Sequence, residues 1–212
     1  MNLAEMRREY TKSGLRRADL DPRPLVQFQK WFEEALNSQL LEPSAMTLAT
    51  ADADGRPSAR IVLLKGADER GFLFFTNYES RKGRELAANP RAALVLHWAE
   101  LERQICIAGD VTKVPRVESE KYFALRPRGS QLGACVSKQS SVVTDRAFLE
   151  GRLEELEKQF ANRDVEMPAP WGGYVLAPIR IEFWQGRPNR LHDRFQYSKQ
   201  GDGTWRIDRL SP

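Results

Sequence analysis

The spacing of apolar residues changes period several times along the chain. From Pro24, apolar residues recur at helical spacing (Phe28, Trp31, Phe32, Ala35, Leu36). Proline stands in the first turn, where a missing N–H costs nothing, so an amphipathic helix laid on a core is predicted. From Ala45 the period shortens to that of extended chain. Residues 46–50 predict a strand, 52–55 a hairpin-type turn ending in Asp-Gly, and 58–65 the returning strand. A turn-rich link, 66–71, leads to a third strand over 72–76. The apolar runs 60–65 and 72–77 are β-branched or aromatic and bounded by turn residues, so they are expected to pair. A short helix over 80–88 stops at Asn89-Pro90. Strands follow over 91–98 and 103–114, the second with a bulge or bend at Gly109-Asp110.

Three helical stretches then interrupt the strands. The first, 116–125, ends at Arg126-Pro127. Tyr122 and Arg126 are four apart and point the same way, with Arg126 at the exit turn because a residue before proline is biased out of helix. The second covers 130–136. A polar link, 137–141, precedes the third, 145–161, which carries Leu149, Leu153, Leu156 and Phe160 on one face. Residues 162–170 form a linker with two prolines. Strands are predicted over 171–176, 179–184, 190–195 and 205–210, with turns at 186–189 and Asp202-Gly203. Successive antiparallel strands with short turns suggest a meander closing into a barrel. The fold class expected is mainly β with flanking helices (α+β). It divides into an arm, 1–23, and one barrel domain with inserted helices, 24–212.

Composition narrows the function classes. At 212 residues, 41% hydrophobic and 29% charged, the chain can bury a substantial core without staples. A net charge of +4 is too weak to argue for nucleic acid but suits a small anionic ligand if the cations converge. Cys106 and Cys135 lack metal or redox spacing and read as reduced thiols. With only His97 and His192, a multi-histidine metal site is excluded. No membrane span or signal-peptide core is found, so the expected location is the cytoplasm. The phosphate-loop, dinucleotide, C-x-x-C, H-E-x-x-H and G-x-S-x-G patterns are absent.

The candidate chemistry lies in the cations. Arg60 and Lys65 bracket one strand, while Arg81 and Lys82 stand at a helix start, where backbone N–H groups also favour anions. Either they frame a phosphate or they are solvated strand and helix ends. If 190–195 is a strand, Arg190, His192 and Arg194 share one face. Without an anion three such groups are costly in a core, whereas on an exposed edge Asp193 would serve as counter-charge. His97, beside Trp98, reads as a packed or hydrogen-bonded structural histidine. Residues 7–10 and Arg16-Arg17 read as a solvated arm.

Five ordered blocks, Arg7-Arg8-Glu9-Tyr10, 60–65, 76–82, 136–141 and 181–194, resemble the pyridoxine (pyridoxamine) 5′-phosphate oxidase family over nearly the whole chain. The resemblance implies an FMN-binding split β-barrel working as a homodimer, with FMN at the interface. It implies that Arg60, Ile61, Val62, Leu63, Leu64, Lys65, Phe75, Thr76, Arg81, Lys82 and Gln104 bind FMN from one subunit. Gln139, Ser140, Trp184 and Arg194 would contribute from the other. Phe75, where some members carry Tyr, is expected to contact FMN through its backbone. The substrate phosphate would meet Lys65, Tyr122, Arg126 and Ser130. Arg190, Leu191 and His192 would lie at the substrate ring, and Arg7, Arg8, Glu9 and Tyr10 would close as a lid. Arg190 would align the reacting oxygen or amine, and His192 would relay a proton. The implied reaction is hydride transfer from C4′ of pyridoxine or pyridoxamine 5′-phosphate to flavin N5, with O2 as acceptor and H2O2 released, plus NH3 from the amine. This would serve pyridoxal phosphate synthesis and salvage. The alternative is a non-catalytic flavin- or pyridoxal-phosphate-binding protein on the same barrel.

Overall fold

The computed structural model describes residues 9–12 and 14–212. After an extended segment, α1 (Pro24–Asn37) leads to β1 (Ala45–Ala51) and β2 (Pro57–Leu63). Next come β3 (Gly66–Asp68), β4 (Gly71–Asn77), α2 (Arg81–Ala88), β5 (Arg91–Trp98) and β6 (Arg103–Lys113). Helices α3 (Arg116–Ala124), α4 (Arg128–Val136) and α5 (Arg146–Gln159) follow. The chain closes with β7 (Trp171–Gln185), β8 (Asp193–Lys199) and β9 (Trp205–Leu210).

All strands join one antiparallel sheet in the order β2-β1-β5-β6-β7-β4-β3, with β8 and β9 added on β7. This corrects two expectations. The order is not a meander, because β4 pairs with β7 rather than with β5. The run ending at Leu63 also does not pair with β4. Its partner is β1, with Arg60 opposite Leu48. The piece beside β4 is the expected link, now β3, where Gly66 faces Leu73. The two ends of the curled sheet are therefore consecutive in the chain. Leu64 and Lys65 join them: Leu64 N–H donates to Ser44 O (2.8 Å) and Lys65 N–H to Leu73 O (2.8 Å).

Alternation explains the packing. Residues 105, 107, 181, 183, 195 and 197 face inward and are fully buried, and α1 adds Phe28, Trp31 and Ala35 to the same core. Leu15 and Leu20 of the N-terminal segment join it too. The bulge expected near Gly109 is present. Ala108 faces Arg180 but Gly109 faces Pro178, leaving Ile179 as the extra residue. A Cβ at Gly109 would lie 2.0 Å from Ala177 O, so glycine lets the two backbones approach. A second cluster holds α3–α5 to the barrel through Phe123, Leu132, Leu156, Phe160, Val165 and Trp171.

Candidate active site

The cations of β2 and α2 converge as expected. Ser80 caps α2, accepting from Gly83 N–H at 3.3 Å. The first turn thus presents Arg81 and Lys82 toward the end of β4. Lys82 Nζ donates to Thr76 Oγ1 (3.2 Å) and Gln139 Oε1 (2.8 Å), and Arg81 N–H to Ser140 Oγ (3.2 Å). Gln139 and Ser140 were expected from the other subunit. They instead meet Thr76, Arg81 and Lys82 of their own protomer, because the 137–141 loop leaves α4 directly over the start of α2. Burial, and after it the nearby Arg60, push the Lys82 ammonium below its usual range.

The residue that organises this cluster is Glu85, which the reading of the sequence did not single out. It is buried and accepts from Thr50 Oγ1 (2.5 Å), Ser58 Oγ (2.6 Å), Arg60 Nη2 (3.1 Å) and Arg81 Nε (2.9 Å). Burial alone would raise its pKa. The hydrogen bonds from Ser58, Thr50, Arg81 and Arg60 outweigh that and hold it at about 2. Its spacing of four from Arg81 was the available signal. Arg60 also donates to Leu48 O, Thr50 Oγ1 and Ser58 Oγ. Arg60 and Arg81 therefore share a single carboxylate, and the hydrogen bonds of Lys82 among the described residues go to neutral groups. A phosphate dianion fits this donor set.

Next to Thr76, the Phe75 side chain forms an aromatic floor. It stacks on Tyr122 (4.1 Å, 17°) and Trp171 (5.3 Å, 8°), so its role is not confined to its backbone. Arg126 lies over Trp171 at 4.9 Å, and Tyr122 stacks on the same ring at 6.1 Å, as their spacing of four implied. Arg126 Nη1 is buried without a hydrogen-bond partner among the described residues, and burial lowers the guanidinium pKa. A buried unpaired donor is costly unless an anion meets it. Ser130, on α4, and Lys65, between β2 and β3, are exposed.

The third group stands at the far end of β7. Gln104, Trp184 and Arg194 lie side by side in register across β6, β7 and β8. Arg194 is held by Glu182 (2.8 and 3.1 Å) and Gln104 Nε2 donates to Cys106 Sγ (3.2 Å). The expected strand over 190–195 is not formed. Pro188–Arg190 makes a short 3-10 turn, and β8 begins only at Asp193. Asn189 and Arg190 are both left-handed (φ 56° and 61°), so Arg190, His192 and Arg194 do not share a strand face. Two such residues in succession cost of order 1–3 kcal/mol each and cluster at functional loops. Arg190 and Leu191 are exposed. His192 is half-buried between Trp184 (4.7 Å) and Tyr10 (5.5 Å). Arg187 N–H donates to His192 Nδ1 (3.1 Å), which fixes the neutral tautomer with its proton on Nε2. Burial, then Arg190 and Arg194, lower its pKa. Tyr10 also touches Trp184 (5.5 Å). Glu9 is exposed, and Arg7 and Arg8 lie outside the described residues. His97 is exposed rather than packed, because it points outward between inward-facing Leu96 and Trp98.

The antiparallel barrel, its cation cluster and the stacked aromatic floor together suit a ligand that carries a phosphate on an aromatic body. The family profile described as pyridoxamine 5′-phosphate oxidase matches residues 32–160, and that of the pyridoxine 5′-phosphate oxidase C-terminal dimerisation region matches 171–212. The pyridoxine/pyridoxamine 5′-phosphate oxidase of Nostoc punctiforme is 57% identical over 210 residues, covering 99% of this chain and 98% of the relative. That of Rubrobacter xylanophilus is 58% identical over 211 residues, covering 100% and 97%. Among solved structures, PhzG from Burkholderia lata, in complex with tetrahydrophenazine-1-carboxylic acid, superposes with a TM-score of 0.87 at 33% identity, covering 92% of this chain and 95% of that one. The chain belongs to the pyridoxine/pyridoxamine 5′-phosphate oxidase family. It is an oxidoreductase with FMN as cofactor, and it forms a homodimer through its C-terminal region. No helix among the described residues is long and apolar enough to cross a membrane.

Proposed function

We propose that the enzyme oxidises pyridoxine 5′-phosphate and pyridoxamine 5′-phosphate to pyridoxal 5′-phosphate, in a site assembled from both protomers. The observation that carries the substrate class is Arg126, whose buried Nη1 has no partner among the described residues while Tyr122 stands on the same aromatic floor. A phosphate monoester satisfies that donor, and Lys65 and Ser130 add to the same pole. A separate phosphate, that of FMN, belongs with Arg60, Arg81, Lys82, Thr76, Gln139 and Ser140. Ile61 to Leu64 and the Phe75 main chain line the cofactor beside them. The two phosphates are thus held apart, with the reacting rings between them.

Strand length supports the composite site. Phe75 faces Gly173, whereas His192 touches Trp184. Eleven residues of strand separate these points on β7, roughly 35 Å along its path. One small ligand does not span that distance within a protomer, so Trp184, Arg190, Leu191, His192 and Arg194 serve the partner's phosphate sites. When bound, FMN supplies the redox chemistry: it takes the hydride from C4′ and passes the electrons to O2, giving H2O2. The residues bind and orient. Arg190, exposed and cationic, aligns the C4′ oxygen or amine. His192, with Nδ1 held by the Arg187 N–H, offers its Nε2–H as a donor to the C4′ oxygen or amine, and the proton that the substrate loses passes to water. For the alcohol the aldehyde forms directly, and for the amine water hydrolyses the imine to aldehyde and NH3. Tyr10, with Glu9, covers the substrate.

The test is aerobic turnover of pyridoxine 5′-phosphate by FMN-loaded protein, with pyridoxal 5′-phosphate and H2O2 expected in equal amounts. No product would reject the oxidase in favour of a carrier. Arg190→Ala should lower kcat/KM by about 10²-fold with FMN still bound, as loss of alignment does. Lys82→Ala should weaken FMN binding about 10- to 100-fold, the effect of losing one charge-assisted bond. Flavin release from Arg190→Ala, or unchanged affinity in Lys82→Ala, would reverse those two assignments.

A further inference from the structure

The N-terminal segment does not simply lie on the barrel. One buried carboxylate joins it to the loop that carries Arg190 and His192. Glu102 follows the short turn after β5 and is 2% exposed, in a left-handed conformation (φ 55°) that a non-glycine residue adopts at a cost. Its Oε2 accepts the backbone N–H groups of both Thr11 (2.9 Å) and Lys12 (3.0 Å). Its carbonyl accepts Gly186 N–H (2.7 Å) and Gln185 Nε2 (3.1 Å), at the point where β7 ends and the substrate loop begins. Gly186 packs flat under Tyr10, since a Cβ there would lie 2.7 Å from the tyrosine ring.

We infer that Glu102 is a positioning residue for substrate binding: it latches the arm so that Tyr10 is held against His192 and Trp184. Burial makes the latch strong, because a carboxylate withdrawn from water needs those two N–H donors, and charge-assisted bonds exceed neutral ones. The bonds go to main chain, so the latch fixes the path of the arm whatever its side chains do. A second carboxylate, Asp193, accepts Leu15 N–H at 3.0 Å and anchors the arm beyond the latch. Glu102 touches neither substrate nor flavin in this scheme and acts through Tyr10. The inference rests on Tyr10 covering the substrate.

The experiment compares Glu102→Ala, Glu102→Gln, Tyr10→Ala and the double variant Tyr10→Ala/Glu102→Ala as FMN-loaded dimers. Glu102→Ala should raise KM for pyridoxine 5′-phosphate at least tenfold, about 1.4 kcal/mol, with FMN affinity unchanged and kcat within about twofold. Glu102→Gln keeps an acceptor oxygen and should recover most of that loss. In the Tyr10→Ala background, Glu102→Ala should add nothing, since removal of the shared group leaves no further effect. Additive effects, loss of FMN from Glu102→Gln, or unchanged KM in a folded Glu102→Ala would overturn the latch. If Tyr10→Ala leaves KM unchanged, the lid reading fails and takes the latch with it. If Tyr10→Ala raises KM while Glu102→Ala does not, only the latch fails.

Discussion

Glu85 shows how much one buried acid sets in a site otherwise read from its cations. Arg60, Arg81 and Lys82 were legible because adjacent positive charges at a strand and a helix start favour anions. Glu85 looked like an ordinary helical glutamate, and only the packing of α2 on β1 and β2 brings Thr50 and Ser58 to it. Its depressed pKa has a consequence for stability. The unfolded carboxylate has the ordinary value and the folded one about 2. The stabilisation is complete above the ordinary value and lost as pH falls toward 2. In the FMN-free protein, Glu85→Gln should lower the thermal midpoint at pH 7. It should also flatten the decline that the parent shows between about pH 5 and pH 3. Parallel midpoint curves for parent and variant would refute this account of the charge cluster.

At the scale of elements, β7 carries most of the design. Its fifteen residues pair with β4, β6 and β8, so one strand links the aromatic floor at Gly173 to Trp184. Gly173 is small because Phe75 and Val114 occupy the space a side chain would need, each 2.7 Å from an added Cβ. Gly173→Ala should cost about 1–3 kcal/mol, the range for overpacking, read as a lower urea midpoint. It should also raise KM for substrate more than it weakens FMN binding, because Phe75 supports Tyr122. A midpoint within error of the parent would mean that the floor yields freely. The loop after β7 was misread for a definable reason. Arg190-Leu191-His192 imitates a period of two, but Leu191 is 71% exposed and belongs to no core face. Pro188 and the left-handed Asn189 and Arg190 make a turn that displays side chains instead of pairing them.

For the whole molecule, the composite site proposed above, with its two halves separated along β7, predicts that the dimer is a condition of catalysis. Complementation tests this directly. Arg126→Ala and Arg190→Ala homodimers should each be nearly inactive. Unfolded together and refolded, half the dimers are mixed, and each mixed dimer holds one site with both defects and one with neither. About one quarter of parental activity should return, by the geometry of a two-fold interface. No recovery from verified mixed dimers would place both residues in one protomer's site.

The sequence by itself determined most of the elements, though neither β3 nor the loop at Arg190, together with the location of the bulge, the cationic cluster and the pairing of Tyr122 with Arg126. These follow from local period, turn chemistry and spacing within a helix, which neighbours in the chain suffice to specify. The family resemblance added the cofactor and the reaction. Tertiary structure alone decided that β4 lies against β7, that Gln139 and Ser140 meet their own protomer's Lys82, and that Glu85 and Glu102 are buried acids with several donors each. Those contacts join residues as far apart in the chain as Phe72 and Leu176 of β4 and β7, or Thr11 and Glu102. Curling the sheet and packing the helices on it select them, because only the folded chain brings such groups out of water together and makes each one's partner obligatory.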